Sequence, residues 1–259
     1  METTTIFAAL ASGGVIGLIL GLVGGGGSII AVPLLVYVVG VGSAHTAIGT
    51  AAVAVTVNAL TALAGHARAG RVKWRCAGVF AVSGMIGAAF GAELGKAIDG
   101  KRLLALFGIL MVGVGLSMLR KRRTAEKSDV RLTRDSAPKL LPRLVPIGLG
   151  VGFAAGFFGI GGGFLIVPGL ILATGMPLTF AIGTSLVVVS ALGLTTATSY
   201  AISGLVDWPV TTLLILGGAA GTGAGIAAGR MFSRRKGLLE RGFAIAVVAI
   251  GLYVTTSSL

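Results

Sequence analysis

The chain has 259 residues, of which 55% are hydrophobic and only 11% charged, with a mean hydropathy of +0.99. A soluble domain carries about 25% charged residues, so the charge here is too sparse to coat a water-exposed surface, although the length alone would allow one or two soluble domains. The net charge of +13 does not indicate nucleic acid, because every Lys and Arg falls into four clusters with few aromatic residues, Arg68–Arg75, Lys96–Arg102, Arg120–Arg143 and Arg230–Arg241, each between apolar blocks as the positive-inside rule requires. No Lys, Arg, Asp or Glu occurs from Thr3 to Gly65 or from Leu144 to Val206, and about 20 apolar residues span a bilayer. The chain reads as an all-α polytopic membrane protein. The single Cys76 excludes an intrachain disulfide and a multi-cysteine metal site, and no cofactor is expected. The start METTTIFAAL lacks a basic n-region, so no secretory signal peptide is expected either.

In chain order the predicted apolar segments lie near 6–23, 28–42, 45–65, 76–95 and 103–119, then, after a basic stretch, near 144–158, 162–174, 178–203, 208–229 and 242–258. The two sets are copies of one another. GLILGLVGGGGSIIAVPLL (17–35) aligns with GFAAGFFGIGGGFLIVPGL (152–170) at eight of nineteen positions, including Gly17, Gly21, Gly24, Gly26, Gly27 and Pro33. After a one-residue slip AIGTAAVAV (47–55) pairs with AIGTSLVVV (181–189). Gly70, Val72 and Trp74 pair with Gly204, Val206 and Trp208, and Gly84, Gly87, Gly91 and Gly95 with Gly218, Gly221, Gly225 and Gly229. Paired Gly, Pro and Trp in one order mark an internal duplication: a first repeat 1–119, a basic linker 120–143 and a second repeat 144–259.

The first two segments of each half are short and interrupted by a Gly cluster. Each glycine costs about 1 kcal/mol relative to Ala in a helix interior, so three or four together break the helix. Pro33 and Pro168 then suit an early turn of the following helix, or a kink in it. Re-entrant or half-length helices are expected at these places. Five segments per half make the repeats inverted in topology. With the 120–143 linker in the cytoplasm, loops 65–75 and 230–241 are also inside and loops 96–102 and 204–207 outside, so 18 of the 21 basic residues are cytoplasmic and positive-inside agrees with inverted repetition. Both termini are expected outside.

A broken helix leaves free N–H groups and about half a positive charge at its new N-terminus, and backbone without Cβ atoms lets an oxyanion approach. This makes Gly24, Gly25, Gly26, Gly27 and Ser28, with Gly159, Gly161, Gly162 and Gly163, candidate substrate-binding positions near the midplane. Thr50, Thr184 and Ser185 are candidate side-chain donors from the repeated Ile-Gly-Thr, with Thr61 and Thr195 as weaker versions. The same hydroxyls could instead bond their own helix or glue helices together, and the spaced glycines from 84 and from 218 read as packing rows. No basic side chain lies within a span. Glu93 sits near a segment end beside Lys96 and is expected to snorkel or pair locally, and His45 and His66 read as surface residues. The GxGxxG-like spacing near 21–27 lacks a βαβ context. Gly183-Thr184-Ser185-Leu186 could suggest an intramembrane serine protease with His45 or His66 as base, but Ala51 occupies the serine position in the first repeat.

The doubled pattern GLVGGGGSIIAVP and GFFGIGGGFLIVP, each followed by AIGT, resembles the TauE/SafE family, also called the sulfite-exporter or toluene-sulfonate uptake permease family, over essentially the whole chain. The resemblance implies a permease of the bacterial or archaeal cytoplasmic membrane that moves sulfite, sulfoacetate or another organosulfonate. The partners so implied are a small sulfur oxyanion and the lipid bilayer. A permease for another small anion stands as the alternative.

Overall fold

The helix ends are set by residues that can be named. In the computed structural model, which describes residues 3–119, 136–158, 163–231 and 236–258, α1 (Thr3–Val23) stops at Gly24, whose φ of 75° and ψ of −135° only glycine adopts readily. A composite segment follows: a 3-10 stretch Gly25–Ile30, one α turn, α2 (Ala31–Pro33), and a π-helical stretch Leu34–Val39. Pro33 accounts for the change of winding, because it has no N–H to continue the i→i−4 ladder. Next, α3 (Ala44–Arg68) begins at Ser43, whose hydroxyl accepts the Thr46 N–H at 3.5 Å. It ends at Gly70, φ 65°, with the Arg71 N–H returning to the His66 carbonyl, a left-handed C-cap.

The remaining helices are α4 (Trp74–Lys96), α5 (Gly100–Leu119), α6 (Ala137–Phe157), α7 (Gly163–Thr174), α8 (Leu178–Ile202), α9 (Trp208–Met231) and α10 (Lys236–Ser258). The Asp99 carboxylate caps α5 by accepting the Lys101 N–H at 3.1 Å, and Asp207 caps α9 by accepting that of Val210 at 3.1 Å, as short acidic side chains do. Gly204 ends α8 as Gly70 ends α3, with the Leu205 N–H on the Tyr200 carbonyl. Among the described residues there is no strand. Seven helices, α1, α3, α4, α5, α6, α8 and α9, are long and apolar enough to cross a membrane, and Gly26–Val39, α7 and Ala244–Ser257 are shorter apolar helices. The chain is a polytopic helical membrane protein.

Packing follows the duplication. The tightest partners are α1 with α9 and α4 with α6, then α5 with α10 and α3 with α8. Exchanging the halves leaves this pattern unchanged, since α1 and α9 map onto α6 and α4. The glycine rows do the work expected of small residues, which let backbones touch. A methyl group on Gly17 would overlap the Gly218 carbonyl, and on Gly152 that of Gly84. Likewise, methyls on Gly87, Gly91 and Gly95 would strike the Leu149, Phe153 and Phe157 carbonyls. At the centre α3 and α8 run antiparallel, with Gly49 against Tyr200 and Gly193 against Thr56.

Two expectations need adjusting. The first segment of each half is not short: α1 and α6 have 21 residues each, and in the first half the interruption falls in the segment after α1, over 25–39. In addition, α6 starts at Ala137, inside the stretch read as linker, because Pro138 occupies its first turn, where a missing N–H is harmless. The short segment turns back towards the start of α1. A cavity of about 280 Å³ is lined by Thr5, Val39, Gly42, Ser43, Thr46 and Asp207, so the end of the short segment lies beside the first turns of α1 and α3.

Candidate functional site

The repeated Ile-Gly-Thr sits where the loop of one half crosses the central helix of the other. Thr50 Oγ1 accepts the backbone N–H of Asp207 at 2.9 Å, and Thr184 Oγ1 accepts that of Lys73 at 3.0 Å. Lys73 and Asp207 are themselves equivalent positions of the two repeats. The preceding glycines make the crossing possible: a methyl group on Gly49 would overlap the Leu205 carbonyl, and on Gly183 that of Arg71. Both threonines are fully buried. The motif is therefore a pair of clamps between the halves, one fastening the loop before α9 onto α3 and the other fastening the loop before α4 onto α8.

The first glycine break packs on the second clamp. A Cβ on Gly24 would lie 2.8 Å from Ile182 Cγ2 and 3.1 Å from the Ile182 carbonyl oxygen, and that oxygen also accepts the Ser185 hydroxyl at 2.7 Å. The 3-10 stretch then runs against α7, α1 and α8. Gly27 uses its missing Cβ to approach Leu20 of α1, at 2.8 Å from its N atom, so helix packing occupies that space. Gly26, Gly27 and Ser28 are buried. Gly25 opens the 3-10 stretch and Gly163 opens α7, where it too is buried. Gly159, Gly161 and Gly162 lie outside the described residues.

The structure thus seats Gly24 on the Ile182–Ser185 turn of α8, but it does not bring Thr50 and Thr184 together. Thr50 lies beside Gly49, which meets Tyr200, and Tyr200 is about 24 Å along α8 from Thr184 at ~1.5 Å per residue. The two clamps occupy opposite ends of the antiparallel pair. Thr61 and Thr195 donate to carbonyls of their own helices, Val57 and Ala191, which is the ordinary use of a helical hydroxyl.

Ser185 likewise donates to its own turn, so its proton is not held by a histidine as a nucleophile's would be. His66 is not a surface residue: it is 8% exposed, because the Arg71 turn folds back over the end of α3. Glu93 pairs locally, as expected. Lys96 Nζ lies 2.7 Å from its carboxylate and 3.1 Å from Ser203 Oγ, and Ser199 donates to the same carboxylate at 2.8 Å.

Sequence reasoning passed over several groups that the fold buries. Asn58, Thr196, Thr222 and Tyr200 are all 0% exposed, and Asn58 Oδ1 and the hydroxyls of the other three have no hydrogen-bond partner among the described residues. The available signal was Asn58 itself, an amide in a span otherwise free of charge, since polar groups inside a membrane are functional candidates by default.

Full-length apolar helices in a duplicated frame, with short apolar segments between them, are the architecture of a membrane transporter. Residues 9–254 match the family model "Sulfite exporter TauE/SafE", and the chain belongs to this family. A probable membrane transporter protein of Xylella fastidiosa (strain 9a5c) is 48% identical over 254 residues, covering 98% of this chain and 96% of that protein. The probable membrane transporter protein YunE of Bacillus subtilis (strain 168) is 29% identical over 237 residues, covering 83% and 87%. MJ0441 of Methanocaldococcus jannaschii, also named a probable membrane transporter protein, is 28% identical over 166 residues, covering 62% and 60%. No solved structure matches the chain.

Proposed function

We propose that this protein is a secondary carrier for a small sulfur oxyanion, sulfite or an organosulfonate, in the cytoplasmic membrane of a bacterium or archaeon. It works by alternating access between two inverted repeats. The observation that carries the reading is the seat of the first break on the clamp of the second repeat, Gly24 against Ile182. The donors we assign to it are the backbone N–H groups of Gly25, Gly26, Gly27 and Ser28, with the Thr184 hydroxyl and, once it leaves the Ile182 carbonyl, that of Ser185; Gly24 shapes the break, its own N–H being bonded to the Leu20 carbonyl at 3.0 Å. Gly159, Gly161, Gly162 and Gly163 are the sequence counterparts of Gly24, Gly26, Gly27 and Ser28, and with Thr50 they are the second set of donors in this proposal. The donors named are all neutral, so an anion is held by dipoles weakly enough to leave again.

Antiparallel α3 and α8, and a contact pattern unchanged by exchanging the halves, support the inverted arrangement. The 120–143 linker is then cytoplasmic and the termini external, and the two ends of the α3–α8 pair face opposite sides of the membrane. The substrate class rests on the family. Equilibrium binding of sulfite, sulfoacetate, thiosulfate and sulfate to purified protein tests the site. Thr184→Val and Gly26→Val should weaken whichever anion binds, and unchanged affinity in both folded variants would place the anion elsewhere.

A further inference from the structure

The two clamps share a backbone arrangement and differ in charge. In one, the Lys73 N–H is held by Thr184 Oγ1 at 3.0 Å, and the side chain runs to the first turn of α8, where Nζ lies 4.6 Å from the centre of the Phe180 ring. In the other, the Asp207 N–H is held by Thr50 Oγ1 at 2.9 Å, and the carboxylate accepts the Val210 N–H at 3.1 Å. Thr46 takes the position of Phe180 there, and Asp207 and Thr46 line the cavity of about 280 Å³. The crossing residue two places earlier differs as well: Arg71, whose carbonyl abuts Gly183, corresponds to Leu205, whose carbonyl abuts Gly49.

The surroundings widen the difference. At the Asp207 end, Lys96 pairs with Glu93 and is tied to Ser203 of α8, and Asp99 accepts the N–H groups of Lys101 and Arg102. The bases Lys96, Lys101 and Arg102 thus stand against the acids Glu93, Asp99 and Asp207. At the Lys73 end, Arg68, Arg71, Lys73 and Arg75 follow one another between α3 and α4, and none of those acids lies beside them. The Lys73 ammonium rests on an aromatic face, which attracts it without cancelling its charge.

These charges are close enough to act on an anion held by the threonines. Phe180 and Thr184 are one helical turn apart, ~6 Å along the axis, which puts Lys73 Nζ within about 10 Å of the Thr184 hydroxyl. The Asp207 carboxylate, on a shorter side chain, is nearer still to Thr50. At about 10 Å a unit charge changes the affinity for a monovalent anion about twofold in water and roughly fifteenfold at an effective dielectric of 20. Resting on the carrier function proposed above, we propose that the clamped side chains set the anion affinity of the two mouths: Lys73 draws the sulfur oxyanion to the Thr184 end, and Asp207 holds it off at the Thr50 end. One face of the carrier is then its high-affinity face. The clamps themselves are untouched by changing these side chains, because the bonds come from backbone N–H groups.

The test is the KM for uptake of labelled sulfite and sulfoacetate into right-side-out and inverted membrane vesicles, which present the two faces in turn. Wild type should show a KM at least about fourfold lower from the face that carries Lys73, the product of two effects of at least twofold. Lys73→Gln should raise KM from that face about two- to fifteenfold, and less from the other, and Lys73→Arg should restore it. Asp207→Asn, which still caps α9, should lower KM from the opposite face by a similar factor. Equal KM values from the two faces of wild type, a comparison that needs no variant, would overturn the inference and leave the carrier function standing. So would KM values indifferent to both Lys73→Gln and Asp207→Asn. No flux of either anion in wild type would overturn both.

Discussion

Replacing Thr50 or Thr184 by Val keeps the shape of the side chain and removes the acceptor that holds the crossing loop. In Thr50→Val the Asp207 N–H loses a bond of 2.9 Å, and in Thr184→Val the Lys73 N–H loses one of 3.0 Å. Leaving a buried donor without a partner costs about 1–3 kcal/mol. For a chain of this length 1 kcal/mol shifts Tm by ~2–4 °C, so each variant should unfold roughly 2–12 °C lower. The two clamps are about 24 Å apart along α8, so their effects should add to within ~0.5 kcal/mol in the double variant. Trp74 and Trp208 directly follow the two loops, and their fluorescence in a thermal scan of the detergent-solubilised protein reports the release. Thr50→Ser and Thr184→Ser keep the oxygen and should recover most of the loss. If Val is neutral at both positions, or Ser is as damaging as Val, the motif is not a clamp.

Other perturbations should separate packing from binding. Gly87→Val drives a branched side chain into the Leu149 carbonyl and should yield no monodisperse protein on size exclusion. Gly150→Ala and Gly223→Ala, with open space around them, should raise Tm, since Ala is about 1 kcal/mol better than Gly in a helix. Thr184→Val should weaken anion binding by about one to two orders of magnitude at most, and Gly26→Val and Gly161→Val by more, measured well below the unfolding range. Single cysteines at Ser128, Gly204 and Ser233 in a Cys76→Ser background should react with an impermeant thiol reagent from outside only at 204. External labelling at 128 or 233 would contradict the proposed topology.

The spans were legible in the sequence because a bilayer imposes length and apolarity on every helix that crosses it. The glycine rows were legible because the duplication displayed them twice. Helix starts in basic stretches were less so: α6 begins at Ala137, ahead of the apolar block, since hydropathy does not register a helical turn that leaves the apolar core. Thr50 and Thr184 looked like two halves of one site because sequence symmetry says which positions are equivalent, not how far apart a two-fold relation puts them. Equivalent residues far from the centre of an antiparallel pair end at opposite ends of it. Asn58 was overlooked for a related reason. Attention to what the halves share passes over the positions where they differ, and Leu192, its counterpart in the second repeat, is the residue that makes Asn58 conspicuous.

Flux is the most direct measure of the account. Purified protein in liposomes, loaded and bathed under defined anion and cation gradients, should take up labelled sulfite or an organosulfonate such as sulfoacetate in a saturable way. Empty liposomes should not, and a Gly26→Val protein that inserts normally should be strongly impaired. Saturable flux of any of these sulfur oxyanions that falls with Gly26→Val is the predicted result. Absence of flux for sulfite, sulfoacetate, thiosulfate and sulfate, or flux indifferent to Gly26→Val, would contradict it.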